Sequence, residues 1–252
     1  MSQNSIHPLP ERSYEALLID LDGTLLKLDQ ESFARSYFEA MARLFSDRFP
    51  PEEFSGHLLA STMKIINCKD NQRSNEAVFF ADFCRRLKTE RAALDPVIEK
   101  FYRHEFPRLR SWGRPRPHAR SVLEAARRRG EKLVLATQPI FPPVAAHERL
   151  SWGELTADPF DLITTLENMH FCKPHPEYYL EIAAKIGIPP ERCLMAGNDT
   201  REDMGAAKAG MGTFLVEGEI IDRGEEALPH DYRGSLTELA ELIEASFQPA
   251  AS

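Results

Sequence analysis

Two regimes of apolar patterning divide this chain. In the first, Ala16, Leu17, Leu18 and Ile19 form an uninterrupted run that stops at Asp20, as a buried parallel strand does when it delivers a polar residue at its end. Comparable runs recur at Leu133–Ala136, Leu162 and Ile163, Cys193–Ala196 and Thr213–Val216. Helix-like stretches separate most of them: Ala119–Arg129 before Gly130, Glu177–Ile186 before Gly187, and roughly Glu202–Ala209 before Gly210. Glycine just past each stretch supplies the left-handed residue that ends a helix. This alternation predicts an α/β fold built on a doubly wound, Rossmann-like parallel sheet.

The second regime runs from Asp29 to about Arg110. Phe33, Tyr37, Met41, Leu44 and Phe45 recur there at helical spacing, and no convincing strand interrupts them. Further helices are expected over Glu52–Ile66, Asn75–Leu87 and Pro96–Phe106, and Gly113–Pro117, with two prolines, reads as the return hinge. The expected organisation is a core from residues 1–28 and 111–252 with a helical domain, 29–110, inserted in it. No internal repeat or low-complexity segment disturbs this reading.

Composition narrows the function classes. In 252 residues, 42% are apolar and 28% charged, ordinary soluble globular usage. A formal charge of −8 argues against non-specific nucleic-acid binding, which needs a basic face. Met1–Arg12 has no basic start followed by an apolar stretch, and no run is long and apolar enough to cross a bilayer, so the expected location is cytoplasmic, with no membrane partner. The cysteines at 68, 84, 172 and 193 form no CxxC pair, and reduced thiols without a catalytic role are expected.

The candidate chemistry lies at strand ends or just before helices. Asp20, Leu21, Asp22, Gly23, Thr24 and Leu25 follow the first strand directly. Carboxylates two apart diverge to different tasks where the chain turns, and Gly23 permits that turn. In open α/β sheets, ligands bind at the carboxyl ends of the strands. Thr137 ends the strand Leu133–Ala136, Lys173 precedes Pro174, and Gly197-Asn198-Asp199-Thr200-Arg201-Glu202-Asp203 follows Cys193–Ala196 with two acids four apart. Taken singly, Thr137 reads as a strand terminator, Lys173 as a surface lysine, Asp199 as a helix N-cap and Asp203 as a first-turn acid. Their joint occurrence, in this order, overrides those readings.

Together these segments resemble the four motifs of the haloacid dehalogenase superfamily, whose members are mostly phosphatases, on both sides of the insertion. The resemblance implies Asp20 as nucleophile forming an aspartyl-phosphate, and Asp22 as the acid for the leaving alcohol and then the base for water. It implies Thr137, with Gly23, Thr24 and Gln138, on the phosphoryl oxygens, and Lys173 as compensating cation. Magnesium would be held by Asp20, the main-chain carbonyl of Asp22 and Asp199, with Asp203 contributing through water or by orienting Lys173. Gln138 and Pro139 stand where an asparagine is often seen, and Asn198 separates Gly197 from Asp199, so either Asn198 or Asp199 is left to face the metal.

The insertion resembles the family's helical cap, which excludes water and favours small phosphorylated metabolites over folded proteins. Its polar stretch Lys64, Asn67, Lys69, Asn71, Arg73 and Asn75 reads as a solvated loop or, alternatively, as a source of substrate-binding groups, with Lys64 and Arg73 the candidates. Three rivals remain. A haloacid dehalogenase needs no magnesium and has no use for Asp22 as an acid, a phosphosugar mutase returns the phosphoryl group to its substrate, and a binding protein keeps the fold without turnover. Substrate identity and oligomeric state lie outside what these residues specify.

Overall fold

The apolar runs pair side by side in the computed structural model, which describes residues 13–129 and 131–246. Strand β1 (Ala16–Ile19) leads to a short strand β2 (Leu26–Leu28). Four helices follow, α1 (Gln30–Leu44), α2 (Pro51–Ile66), α3 (Asn75–Leu87) and α4 (Arg91–Lys100). A π turn and a 3-10 turn then lead to β3 (Gly113–Pro115). Next come α5 (Ala119–Arg128), β4 (Lys132–Leu135), α6 (Pro143–Trp152), β5 (Leu162–Ile163), α7 (Pro176–Ile186), β6 (Cys193–Gly197), β7 (Gly212–Val216), β8 (Tyr232–Gly234) and α8 (Leu236–Ser246).

Six strands form one parallel sheet in the order β5-β4-β1-β6-β7-β8. The register lines up Leu17 with Leu133 and Leu194, so one face collects Leu17, Ile19, Leu135, Ala196 and Phe214, and the other Ala16, Leu18, Val134 and Met195. Two-sided burial explains why these strands read as continuous apolar runs rather than alternating ones. Val122, Leu239 and Ile243 of α5 and α8 cover the first face, and Tyr178, Tyr179 and Ile182 of α7 the second.

The insertion leaves and re-enters through an antiparallel ribbon of β2 and β3, clamped by Asp29 N donating to the Trp112 carbonyl at 3.1 Å. Asp29 also caps α1, accepting from Ser32 N at 3.1 Å. Phe33 and Tyr37, one turn apart on its buried face, meet aromatic rings from both sides of the join. Phe33 lies edge-on to Trp152 at 5.9 Å and Tyr37 edge-on to Phe141 at 5.4 Å, while Phe106 stacks on Trp152 at 5.5 Å. Offset and edge contacts of this kind add to plain area burial and seat the helical segment on the sheet.

Some expectations change. The helix expected over Pro96–Phe106 begins instead at Arg91, with Pro96 inside it. At its start, Arg91 pairs with Glu76 at 2.6 Å and Asp95 at 3.3 Å and lies over the Phe80 ring. The stretch expected to be helical from about Glu202 narrows to a 3-10 turn, Met204–Ala209, where Gly205 packs against the backbone of Pro174. Strand β4 begins and ends one residue earlier than expected. Gly187 and Gly210 adopt the left-handed conformation expected of them (φ +71° and +86°); Gly130, like Met1–Arg12, lies outside the described residues.

Glu131, 5% exposed beside β4, keeps one carboxylate oxygen without a partner. Burial, reinforced by the nearby charge of Glu15, pushes its carboxyl up to about 7 from an ordinary 4.5. The folded state therefore holds this proton more tightly than the unfolded state, and the stability it contributes is lost as pH rises from about 4.5 towards 7. Glu131→Gln is expected to stabilise the protein at pH 8 by up to about 3 kcal/mol and by much less at pH 5. Thermal unfolding at the two pH values checks this.

Candidate active site

Asp20 stands one residue past β1, and its N–H donates to the Ala196 carbonyl at 2.9 Å, which carries the strand pairing to the sheet's carboxyl edge. There the chain reverses tightly, with the N–H groups of Thr24, Leu25 and Leu26 all converging on the Leu21 carbonyl. Gly23 takes φ +87° at the bend, under the amide of Asn198, where a side chain would collide. Asp20 and Asp22 consequently point to different partners.

Lys173 lies between two carboxylates, its Nζ donating to Asp20 Oδ1 at 2.8 Å and Asp203 Oδ1 at 2.6 Å. It is 1% exposed. Burial opposes its charge, but Asp20 and Asp203 outweigh burial and hold the ammonium well above the usual lysine value. The same burial, with Lys173 opposing it and Asp22 adding repulsion, raises Asp20 above its ordinary value. Asp203 is pushed up to about 7, chiefly by burial. Lys173 is thus one cation shared by two buried carboxylates whose charged forms burial disfavours.

Asp22 pairs with the Nη1 group of Arg149, a buried arginine on α6 that also donates Nε to the Ala145 carbonyl at 3.3 Å and lies 4.7 Å from the centroid of the Phe141 ring. Burial raises the Asp22 carboxyl, and Arg149 opposes that rise. Asp22 Oδ1 and Arg149 Nη2 are both buried without a hydrogen-bond partner, although both residues line one cavity of about 350 Å³ with Asp20, Thr137, Gln138, Asn198, Asp199, Glu202, Asp203 and Arg223.

The remaining expected residues take mixed places. Thr137 reaches the cavity wall from the end of β4, its carbonyl fixed by the hydroxyls of Thr164 and Tyr178, each at 2.8 Å. Gln138 also lines the cavity, but its amide braces the lysine loop: Oε1 accepts from Lys173 N at 3.0 Å, and Nε2 donates to the Lys173 carbonyl at 3.2 Å. Gly23 and Thr24 are not on the wall. Gly23 N donates to the Leu26 carbonyl at 2.7 Å, and the Thr24 hydroxyl donates to Asn198 Oδ1 at 3.1 Å, so both close the turn from behind.

Lys64 and Arg73 are not brought to the cavity. Lys64 joins Arg85, Arg86 and Ser61 around the buried Asp82, at 3.1 Å, and Arg73 pairs with Asp70 at 2.8 Å. These contacts turn both side chains to carboxylates of the helical insertion and away from the cavity. Within the same polar stretch Asn75 is a latch, its N–H bonded to the Met169 carbonyl at 2.8 Å, across the join to the core.

Asp199 caps the turn that follows β6, with Oδ1 accepting from Arg201 N and Glu202 N at 2.9 Å, while Oδ2 accepts from Arg223 at 2.8 and 2.5 Å. Asp203 Oδ2 accepts from Asp199 N at 2.8 Å. Between its two expected tasks, Asp203 here orients Lys173. Asn198 faces inward, its Nδ2 donating to the Glu219 carbonyl at 2.6 Å. Among the described residues, no three His, Cys, Asp or Glu side chains converge as a ready-made metal cage. The donor chemistry nevertheless suits a hard cation, because five carboxylates (20, 22, 199, 202 and 203) meet only Arg149, Lys173 and Arg223, and Asp22 Oδ1 is orphaned.

Arg149 and Arg223 line the cavity without having been found by motif reading, and Glu202, inside the Gly197–Asp203 motif, lines it without having been given a role. For Arg149 a signal exists: it falls three and four residues after Ala146 and Ala145 and next to Leu150, on the buried face of α6. An arginine on an apolar face is a residue with a partner to meet. Arg223 lies outside regular structure and carries no such signal. The thiols of Cys172 and Cys193 are buried and pushed up, in keeping with inert cysteines. No described helix is long and apolar enough to cross a membrane.

This geometry has relatives. Protein CbbY of Cereibacter sphaeroides is 29% identical over 217 residues, covering 84% of this chain and 87% of its own length. Hexitol phosphatase B of Escherichia coli (strain K12) is 28% identical over 170 residues, covering 58% of this chain and 73% of its own. A crystal structure of a HAD phosphatase from Thermococcus onnurineus superposes with a TM-score of 0.56 at 21% identity, covering 94% of this chain and all of that one, which is a likeness of fold. The family model described as haloacid dehalogenase-like hydrolase matches residues 14–210. The chain therefore belongs to the haloacid dehalogenase-like hydrolases and is an enzyme of the hydrolase class.

Proposed function

We propose that the protein is a magnesium-dependent phosphohydrolase that cleaves small phosphomonoesters through an aspartyl-phosphate on Asp20. The observation that carries this reading is the juxtaposition, on one cavity, of buried Asp20 held by Lys173 with Asp22, whose Oδ1 has no partner. One carboxylate attacks phosphorus and becomes phosphorylated, and the other supplies the proton to the departing alcohol oxygen. Burial raises the Asp22 carboxyl, which suits a group that must carry that proton. In the second step Asp22 accepts a proton from water, whose oxygen attacks phosphorus and returns Asp20 to a carboxylate.

Thr137, at the cavity wall, binds a phosphoryl oxygen, and Lys173 offsets charge on Asp20 as the dianion approaches. Residues 29–110 act as a cap over this floor, and the aromatic join at Phe33, Phe106 and Trp152 fixes their seat. Magnesium would be held by Asp20, the Asp22 carbonyl and Asp199, which must first release Arg223, and when bound it supplies the positive charge that lets a carboxylate approach a phosphate.

The test is release of inorganic phosphate from acetyl phosphate, p-nitrophenyl phosphate and a panel of phosphomonoesters, with and without magnesium. Turnover is expected with the metal and about 100-fold less, or none, with excess chelator. No release from any ester by folded protein would remove the phosphatase reading. Return of the phosphoryl group to a second position of the substrate, without free phosphate, would make the protein a mutase.

A further inference from the structure

The cavity over Asp20 has a charged floor and an apolar roof. Every charged group that lines it belongs to the floor described above, whereas α1 and α2 contribute Phe33, Phe38, Leu59, Met63 and Ile66. On α2 the lining positions 59, 62, 63 and 66 make a single helical face. Two of them, Leu59 and Met63, belong to the small set of large apolar side chains left open to solvent, at 50% and 46% exposure. Leaving such groups in water where they border a catalytic floor is unfavourable unless a ligand covers them.

The roof's few polar groups each already hold one hydrogen bond. The Tyr37 hydroxyl bonds to that of Tyr102 at 3.0 Å, the Thr62 hydroxyl donates to the Leu58 carbonyl at 2.9 Å, and Gln30 Nε2 donates to the Asp22 carbonyl at 3.4 Å. A polyol or sugar pressed against this roof would find few partners for the hydroxyls it takes out of water, a desolvation penalty only partly compensated. An alkyl or aryl group meets only surface that it covers favourably.

We infer that the preferred substrates are phosphomonoesters of apolar alcohols, with the leaving group packed against Phe33, Phe38, Leu59 and Met63 and the phosphate on the Asp20 floor. This specificity rests on the phosphohydrolase reading of that floor and adds the chemistry of the leaving group to it. Leu59 and Met63 are its specificity-determining residues.

The experiment measures kcat/KM, with magnesium, for ethyl, propyl, butyl and hexyl phosphate and for glycerol 3-phosphate and glucose 6-phosphate, all esters of primary alcohols. A rise of about two- to fourfold per methylene is expected until the cavity is full, the upper figure being complete transfer of a CH₂ out of water. Propyl phosphate is expected to exceed glycerol 3-phosphate, of equal carbon chain length, by about tenfold or more. In Leu59→Gln and Met63→Gln, changes on exposed helix positions that the fold tolerates, this dependence on chain length is expected to flatten. Acetyl phosphate separates the two claims: if it is hydrolysed while the polyol and sugar esters match or exceed the alkyl series, the apolar specificity is overturned and the phosphohydrolase stands. If it and every ester are inert, both fall. A chain-length gain that persists unchanged in both variants also overturns the assignment to this roof.

Discussion

Asp20→Asn is expected to abolish phosphate release, by about 10³-fold or more, while leaving the fold intact. The amide keeps the shape of the carboxylate and can still accept from Lys173 Nζ, now 2.8 Å from Asp20 Oδ1, but it is too weak a nucleophile to form the phosphoryl-enzyme. Stability is expected to hold or rise slightly, because burial is the largest influence on Asp20 and it disfavours the charged form. Lys173 retains Asp203 at 2.6 Å, so no cation is stranded. Phosphate release and thermal unfolding of the same preparation separate the two effects. Wild-type activity in this variant would mean that Asp20 is not the attacking group.

Lys173→Met is expected to damage activity and stability together. Removing the cation that bridges Asp20 and Asp203 leaves two carboxylates buried at 8% and 1% exposure without that charge partner, a loss of about 3 to 5 kcal/mol. For a chain of this size that corresponds to a fall of roughly 6 to 20 °C in Tm. The deficit must depend on pH. Both carboxyls already sit above their ordinary 3.8 in the folded protein, and Lys173 is an influence that lowers them; without it they rise further. A raised folded pKa means stability lost as pH increases through the interval up to that value. The variant's deficit is therefore expected to be largest above pH 7 and to shrink as pH falls towards about 4. A deficit independent of pH would show that Lys173 acts by packing alone.

The sequence was most legible where burial on both faces or a turn left a direct imprint. The runs at Ala16–Ile19 and Cys193–Gly197 are apolar throughout because helices cover both sides of the sheet. Asp20, Asp22, Thr137, Asp199 and Asp203 were readable because each lies at or near a strand's carboxyl end, where a parallel sheet opens to ligand, whereas Lys173, well past β5 and just before α7, was picked out only by the family resemblance. The helical insertion was readable from Phe33, Tyr37 and Met41, whose spacing returns each to one face.

Pairing across long separations was not readable. Lys64 and Arg73 looked available because a basic residue in a polar stretch carries no mark of its partner, and Asp82 and Asp70 claim them only after the helices pack. Gly23 and Thr24 looked like phosphate ligands until the turn used their hydrogen-bonding groups. Arg149 reaches Asp22 across 127 positions of sequence, and Arg223 reaches Asp199 from a stretch without periodicity. The α/β class, the helical insertion and the strand-end acids follow from local burial and periodicity, which each segment records in its own residues. Which carboxylate meets which cation, and that an apolar roof faces the charged floor, follow only from tertiary packing, because charge pairing and cavity shape belong to pairs of segments and are written in neither one alone.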